Sequence, residues 1–345
     1  MDKKVKVIKL EDLAKKLKVS KVTISKALRN HPDISPATIK KVKDLADKLG
    51  YVPNYMAKNL SARKSNTIGL VIPKIAHLFF ASVIESIYNE AFENNYETLL
   101  TVSQEQEERE KKHILNLLSM RVDGLIVSIT QETKDTTIFK RVLQQNVPLV
   151  FVDRVPNLDG VSSVTVDDKG GSYSAVTYAI GRGYRKMAHI GGYPHVNIGK
   201  ARRDGFVEAL RANNLPINES WIIGGGFGEE DGYNGFMKIY DKKNLPEYIL
   251  SVTYPVALGI YKAATELGVR IPEDIEVTCF GKNSFSESIP SVFNFVDQPT
   301  KELGVRATDL IIRHINDPKG FDPEHIELKT QLIINNGKSR IELAV

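Results

Sequence analysis

From residue 66 onward the chain alternates short apolar runs with amphipathic stretches, and this constrains the fold more than any other feature. Apolar runs at residues 68–73, 98–103, 124–129, 149–153, 161–166, 187–191, 248–252 and 275–280 have strand length. Helical patterns separate most of them, at residues 80–94, 107–120, 171–181, 201–213 and 256–267. Strands that alternate with helices build parallel sheets covered by helices on both faces. About a dozen such elements are too many for one sheet, so two similar lobes are expected.

The first 64 residues have another character. They carry 17 Lys and Arg against 6 Asp and Glu, a net +11, whereas residues 65–345 carry 30 against 36, a net −6. Leu10, Leu13, Leu17, Ile24, Leu28, Ile39, Val42, Leu45 and Leu49 give the cationic segment a core of its own. A folded basic module on an acidic body points to phosphate as its partner. The longest apolar runs fall far short of the roughly 20 residues needed to cross a bilayer. The N-terminus lacks the unbroken apolar stretch of an export signal. Cys279 is the only cysteine, so no disulfide forms within the chain, and a cytoplasmic location is expected.

Within the basic segment, Leu10, Leu13, Ala14 and Leu17 mark one face of a short helix. Ser20 is a suitable N-cap for a second helix over residues 21–28, separated from the first only by Lys18 and Val19. Ser35 and Pro36 open a third helix, which Gly50 closes. Two short helices joined by a tight turn, with a third completing the core, form a helix-turn-helix whose second helix enters the major groove. Its outward residues are Lys21, Val22, Ser25, Lys26 and Arg29. Lys26 is suited to guanine O6 and N7 and Val22 to a thymine methyl, while Ser20, Thr23 and Ser25 suit phosphates.

Residues 19–30, then Ile34 and Ser35, then residues 49–54 with Ala57 and Leu60, resemble the lactose-repressor and galactose-repressor family of bacterial regulators in residues and in spacing. The resemblance implies residues 1–52 as the DNA-binding domain and 53–64 as a hinge helix. In such hinges a leucine matching Leu60 wedges into the central minor-groove step, with residues matching Asn54 and Ala57 in the same groove. Where the family usually has glycine in the turn, this chain has Lys18; a φ above zero there would cost on the order of 1 kcal/mol.

The family's core is a two-lobed α/β structure of doubly wound parallel sheets, like the periplasmic sugar-binding proteins. By analogy lobe 1 covers about residues 65–159 and 292–321 and lobe 2 about 160–291 and 322–345, with crossovers near Asp159, Ser291 and Phe321. An effector is then expected between the lobes at the carboxyl ends of the strands. Its candidate contacts are Phe79, Phe80, Asp153, Arg202 and Phe227, completed by Asn197, Tyr254 and Lys282. Sugar-binding members often carry acidic residues where this chain has Thr253-Tyr254 and Gly281-Lys282-Asn283. With Lys282 near Arg202, the substitution favours an acidic effector such as a phosphorylated or uronic sugar.

The resemblance therefore implies an allosteric repressor of a carbohydrate-utilisation operon, bound as a homodimer to a palindromic operator. The residues after the expected last strand, 326–334, are too few for a tetramer-forming extension. Catalysis is not expected. The seven histidines show no metal-ligand spacing. The run Gly224–Gly228 is no dinucleotide fingerprint and opens no obvious helix in the right register. No cofactor is expected. A solute-binding protein would leave the basic head unexplained, and a regulator without an effector is the other alternative.

Overall fold

A computed structural model describes residues 8–52, 64–281, 291–335 and 340–344. Asn54, Ala57, Leu60 and Lys282 lie outside the described residues. Two compact units divide the chain after Ser65.

The first unit holds α1 (Leu10–Leu17), α2 (Lys21–Leu28) and α3 (Pro36–Leu49). Each boundary has a local cause. The Ser20 hydroxyl accepts the Thr23 N–H at 3.0 Å and the Ser35 hydroxyl accepts the Thr38 N–H at 3.3 Å, satisfying donors that a helix start leaves open. Gly50, at φ 63°, ends α3 and turns the chain so that the Tyr51 N–H reaches the Ala46 carbonyl at 2.9 Å. Lys18 takes the same left-handed conformation, φ 53°, so the lysine carries the penalty a glycine would avoid. Leu13, Ile24, Ala27 and Val42 are fully buried at the centre, and all nine apolar residues expected in this core belong to it.

In the second unit, β1 (Thr67–Ile72), β2 (Glu97–Val102), β3 (Gly124–Val127), β4 (Leu149–Val152), β5 (Ser162–Val166) and β11 (His325–Leu328) form one parallel sheet in the order β11-β5-β4-β3-β1-β2. The other sheet contains β6 (Met187–Ile190), β7 (Ile222–Ile223), β8 (Tyr248–Ser251), β9 (Glu276–Phe280), β10 (Asn294–Asp297), β12 (Gln331–Asn335) and β13 (Arg340–Ala344), with the last two antiparallel. Helices α4 (Leu78–Glu93), α5 (Glu107–Ser119), α6 (Thr137–Gln144) and α11 (Thr300–Asn316) belong to the first lobe. Helices α7 (Asp168–Gly181), α8 (Asn197–Ala212), α9 (Glu229–Ile239) and α10 (Tyr254–Glu266) belong to the second.

The two lobes match the expectation, but their boundaries shift. β5 pairs with β4 through Val150 and Ser162, so the first crossover follows Val166 instead of falling near Asp159. β10 pairs with β9, which moves the second from near Ser291 to Gln298–Pro299. The run at 326–334 is two strands in different sheets, and the third crossover lies at Lys329–Thr330, not near Phe321. Lobe 1 is therefore residues 66–167 and 299–328, and lobe 2 the other described residues of this unit, 168–281, 291–298, 329–335 and 340–344. The glycine run also differs from expectation, since it leads directly into α9. Asp231 caps that helix by accepting the Gly226 N–H at 2.9 Å and the Gly228 N–H at 3.0 Å.

Candidate functional site

α2 exposes one continuous face. Ile24 and Ala27 point into the core, while Lys21, Val22 and Arg29 are exposed and Thr23, Ser25 and Lys26 are half-buried. Val22 is 65% exposed, an unusual position for a branched apolar residue flanked by cations. Lys21 pairs with Glu11, and Lys26 donates to Asp33 at 2.7 Å. Those hydrogen bonds hold both carboxyls below the usual range. The Arg29 Nε–H donates to the Ser25 carbonyl at 3.2 Å. The Ser20 and Thr23 hydroxyls lie 2.9 Å apart at the start of the helix, where its dipole favours an anion. All seven residues singled out in the head lie on α2 or at one of its ends.

The second site is a cavity of about 190 Å³ at the carboxyl ends of β1, β4, β8 and β9, closed from one side by the start of α8. A cavity of ~150 Å³ suffices for benzene, so this one admits a one-ring molecule. Phe79 and Phe80 meet edge to face at 5.2 Å and line it with Asp153, Arg202 and Tyr254, five of the eight expected contacts. Phe227 and Asn197 do not line it. Phe227 is buried beneath Arg154, whose guanidinium carbon lies 4.5 Å from the ring centre. The Asn197 amide is spent on backbone, donating to the Asp153 carbonyl and accepting the Val155 N–H, both at 3.0 Å.

Arg202 is 1% exposed and bound to the protein itself. Its Nη2 lies 2.6 Å from Asp168, its Nε donates to the same carboxylate at 2.8 Å, and Nη1 donates to the Val252 carbonyl at 2.5 Å. The expectation of an acidic effector relied on Arg202 as a spare cation, but Asp168 already balances its charge. Arg154 likewise donates from Nη1 to both oxygens of Glu105, at 3.0 and 2.9 Å.

Among the wall residues that sequence reasoning did not single out as contacts, Arg154 and Gln298 carry polar groups that bear on the site. Arg154 follows Asp153 directly at the end of β4, so the strand-end rule that selected one applies to the other. Gln298 sits on the second crossover with its Nε2 buried and without a partner among the described residues, and it could be found only once β10 was known.

With both arginines matched, Asp153 decides the charge of the site. Its φ is 63°, and burial pushes its carboxyl up to about 7 against the pull of Arg154 and Arg202. An unfolded aspartate ionises near ~3.9. Between those values the folded chain holds a proton the unfolded chain has lost, so the stabilisation is full below about pH 4 and gone above about 7. Glu110 acts in the same sense, raised to about 7 by burial, while His77 and His189, held at about 4 by burial, act oppositely. The contribution is therefore read as a difference. Wild type is expected to lose thermal stability relative to Asp153→Asn as pH rises from about 5 to about 8, because only the wild type must then hold an ionised carboxyl in that buried place. A gap that does not change with pH would place the Asp153 titration elsewhere.

The profile of periplasmic binding proteins and the sugar-binding domain of the LacI family matches residues 65–335, and that of the bacterial regulatory proteins of the lacI family matches residues 9–54. Catabolite control protein A of Priestia megaterium is 27% identical over 310 residues, covering 90% of this chain and 93% of that protein. The NTD biosynthesis operon regulator NtdR of Bacillus subtilis strain 168 is 30% identical over 325 residues, 94% of this chain and 98% of that one. Among solved structures, the Lac repressor dimer bound to operator and the anti-inducer ONPF shares the fold, with a TM-score of 0.82 at 23% identity over 96% of this chain and 98% of that one.

Proposed function

Because this chain belongs to the lacI family of bacterial regulatory proteins, we propose that it represses a carbohydrate-utilisation operon by binding a palindromic operator as a homodimer, under control of a sugar-like effector in the cleft. The family consists of transcription regulators, not enzymes. The observation that carries the reading is the exposed face of α2, where Val22 stands 65% exposed among Lys21, Ser25 and Arg29. An apolar side chain among cations suits a thymine methyl between phosphates.

Pairing of two chains is supported by lobe 1. Tyr88 and Phe92, four residues apart on α4, are 51% and 61% exposed, and the edge strand β2 exposes Leu99 and Leu100. Apolar groups on an unpaired strand edge call for a covering surface, and a twofold dimer would present two copies of α2 to the half-sites.

Anisotropy titrations on sequences enriched from a palindromic pool, across a salt series, test the operator reading. Two chains per duplex and a preference of about a thousandfold over random DNA are expected. Lys26→Ala should cost about 1–3 kcal/mol of that discrimination. Equal binding to every sequence, with a steep salt slope, would leave only a basic head attached to a sugar-binding fold.

For the effector, the paired charges and the one-ring volume favour a neutral hydroxyl-bearing ring over an acidic one. The aromatic wall would take its apolar face, and Asp153 and Gln298 its hydroxyls. Calorimetric titration with glucose against glucuronate, and galactose against galacturonate, should favour the neutral member. Roughly tenfold tighter binding of the acid would restore the anionic reading and point to Lys282.

A further inference from the structure

The wall of the cavity that contains Arg154 also joins the two lobes, and every joint on it is made by the protein's own groups. Arg154 is rooted in lobe 1. It is 2% exposed, gives Nη1 to both oxygens of Glu105, and has its guanidinium carbon 5.7 Å from the centre of the Phe80 ring. Its opposite contact is in lobe 2, the Phe227 ring at 4.5 Å. Glu105 extends the connection by accepting the Gln131 N–H at 2.9 Å, and the Gln131 carbonyl lies 2.7 Å from Nε2 of His195, again in lobe 2. Asn197 of lobe 2 grips the backbone on both sides of Arg154.

The backbone here is costly. Gln104, Glu105 and Asp153 have φ of 54°, 61° and 63°, and residues other than glycine are held in that region only where their surroundings impose it. A buried guanidinium also pays a desolvation cost that a merely structural contact between lobes would avoid with an aliphatic side chain. Three left-handed residues and a buried charge thus stand on the wall where lobe 1 meets lobe 2.

We propose that Arg154 is a positioning residue, a latch that holds the lobes closed by stacking on Phe227 without help from a ligand. Arg154 lines the cavity, and its buried Nε–H has no hydrogen-bond partner among the described residues, lying 4.0 Å from an Asp153 carboxylate oxygen. A ligand oxygen placed there joins the latch instead of having to close an open cleft. The regulatory meaning rests on the effector reading given above, but closure itself can be measured with neither ligand nor DNA.

The experiment uses the full chain with nitroxides at Lys112→Cys in lobe 1 and Lys238→Cys in lobe 2, both exposed positions. Cys279 is buried and stays unlabelled. Distances between the lobes are read by double electron–electron resonance. Phe227→Leu should lower the closed-to-open ratio roughly tenfold, the size of a desolvated cation–π contact. Arg154→Met combined with Glu105→Gln, which removes both charges so that neither is stranded, should do the same, and Arg154→Lys should restore part of the closed population. Unchanged distances in folded Phe227→Leu protein, or a wild type already at the longer distance, would overturn the latch. Failure of every sugar in the calorimetry would instead count against the effector reading and leave the distances standing.

Discussion

Replacing Arg202 with methionine is expected to lower the stability of the core by about 3–5 kcal/mol in urea denaturation, the cost of leaving a buried carboxylate without its partner. Asp168 is 4% exposed, and Arg202 supplies its ion pair at 2.6 Å. The same guanidinium donates to the Val252 carbonyl and lies 3.9 Å from the centre of the Phe280 ring, so one substitution disturbs elements after β5, β8 and β9 together. Adding Asp168→Asn removes the stranded charge and should recover a large part of the loss, a coupling that two independent surface charges would not show. Both variants should lose effector binding, because Arg202 lines the cavity. Stability and binding are thereby separated: the double variant regains the first and not the second. A loss below about 1 kcal/mol for Arg202→Met would mean the pair behaves as a solvent-screened one.

The accuracy of the sequence reading depended on how local each cause was. In the head, Ser20, Ser35, Pro36 and Gly50 act within four residues of themselves, and the helix boundaries fall where those residues place them. In the core, the strands were legible as apolar runs, but membership of a sheet was not. Residues 162–166 join lobe 1 because Ser162 faces Val150 and His325 faces Ser163, and the second pairing brings together positions 162 residues apart. The 326–334 run reads as a single strand because both its halves are apolar, and only pairing shows that Lys329 and Thr330 pass between lobes.

The site was legible to the same degree. Asp153, directly after β4, and Phe79 and Phe80, in the first turn of the helix that follows β1, face the cavity because the order of strand, loop and helix is itself a local property. Phe227 looked equally suitable in its glycine-rich loop, but a guanidinium from the other lobe covers it. Nor does the sequence reveal that Arg202 is neutralised by Asp168, which lies 34 residues earlier.

The same contrast between local and distant causes predicts which single change separates the two functions. Ile24→Ala should abolish operator-specific binding while leaving the core unaffected. The centre of the head is small: among the described residues only Leu13, Ile24, Ala27 and Val42 are fully buried there, and one of these is already alanine. Removing the Ile24 side chain costs about 2–5 kcal/mol. A unit of that size at ~0.05–0.15 kcal/mol per residue commands only about 2–7 kcal/mol in all. The head would then be largely unfolded at ambient temperature, and α2 would no longer present a fixed face to the groove. Val22→Ala tests the surface separately. At 65% exposed it contributes nothing to that core, so the head should stay folded and lose only the methyl contact, about 1 kcal/mol of discrimination. Calorimetric unfolding would show the core transition unchanged in both variants, with anisotropy reporting loss of the operator in the first and a modest weakening in the second. Wild-type affinity in Ile24→Ala would mean that DNA itself restores the fold of the head, and the stability of the free unit would then no longer limit recognition.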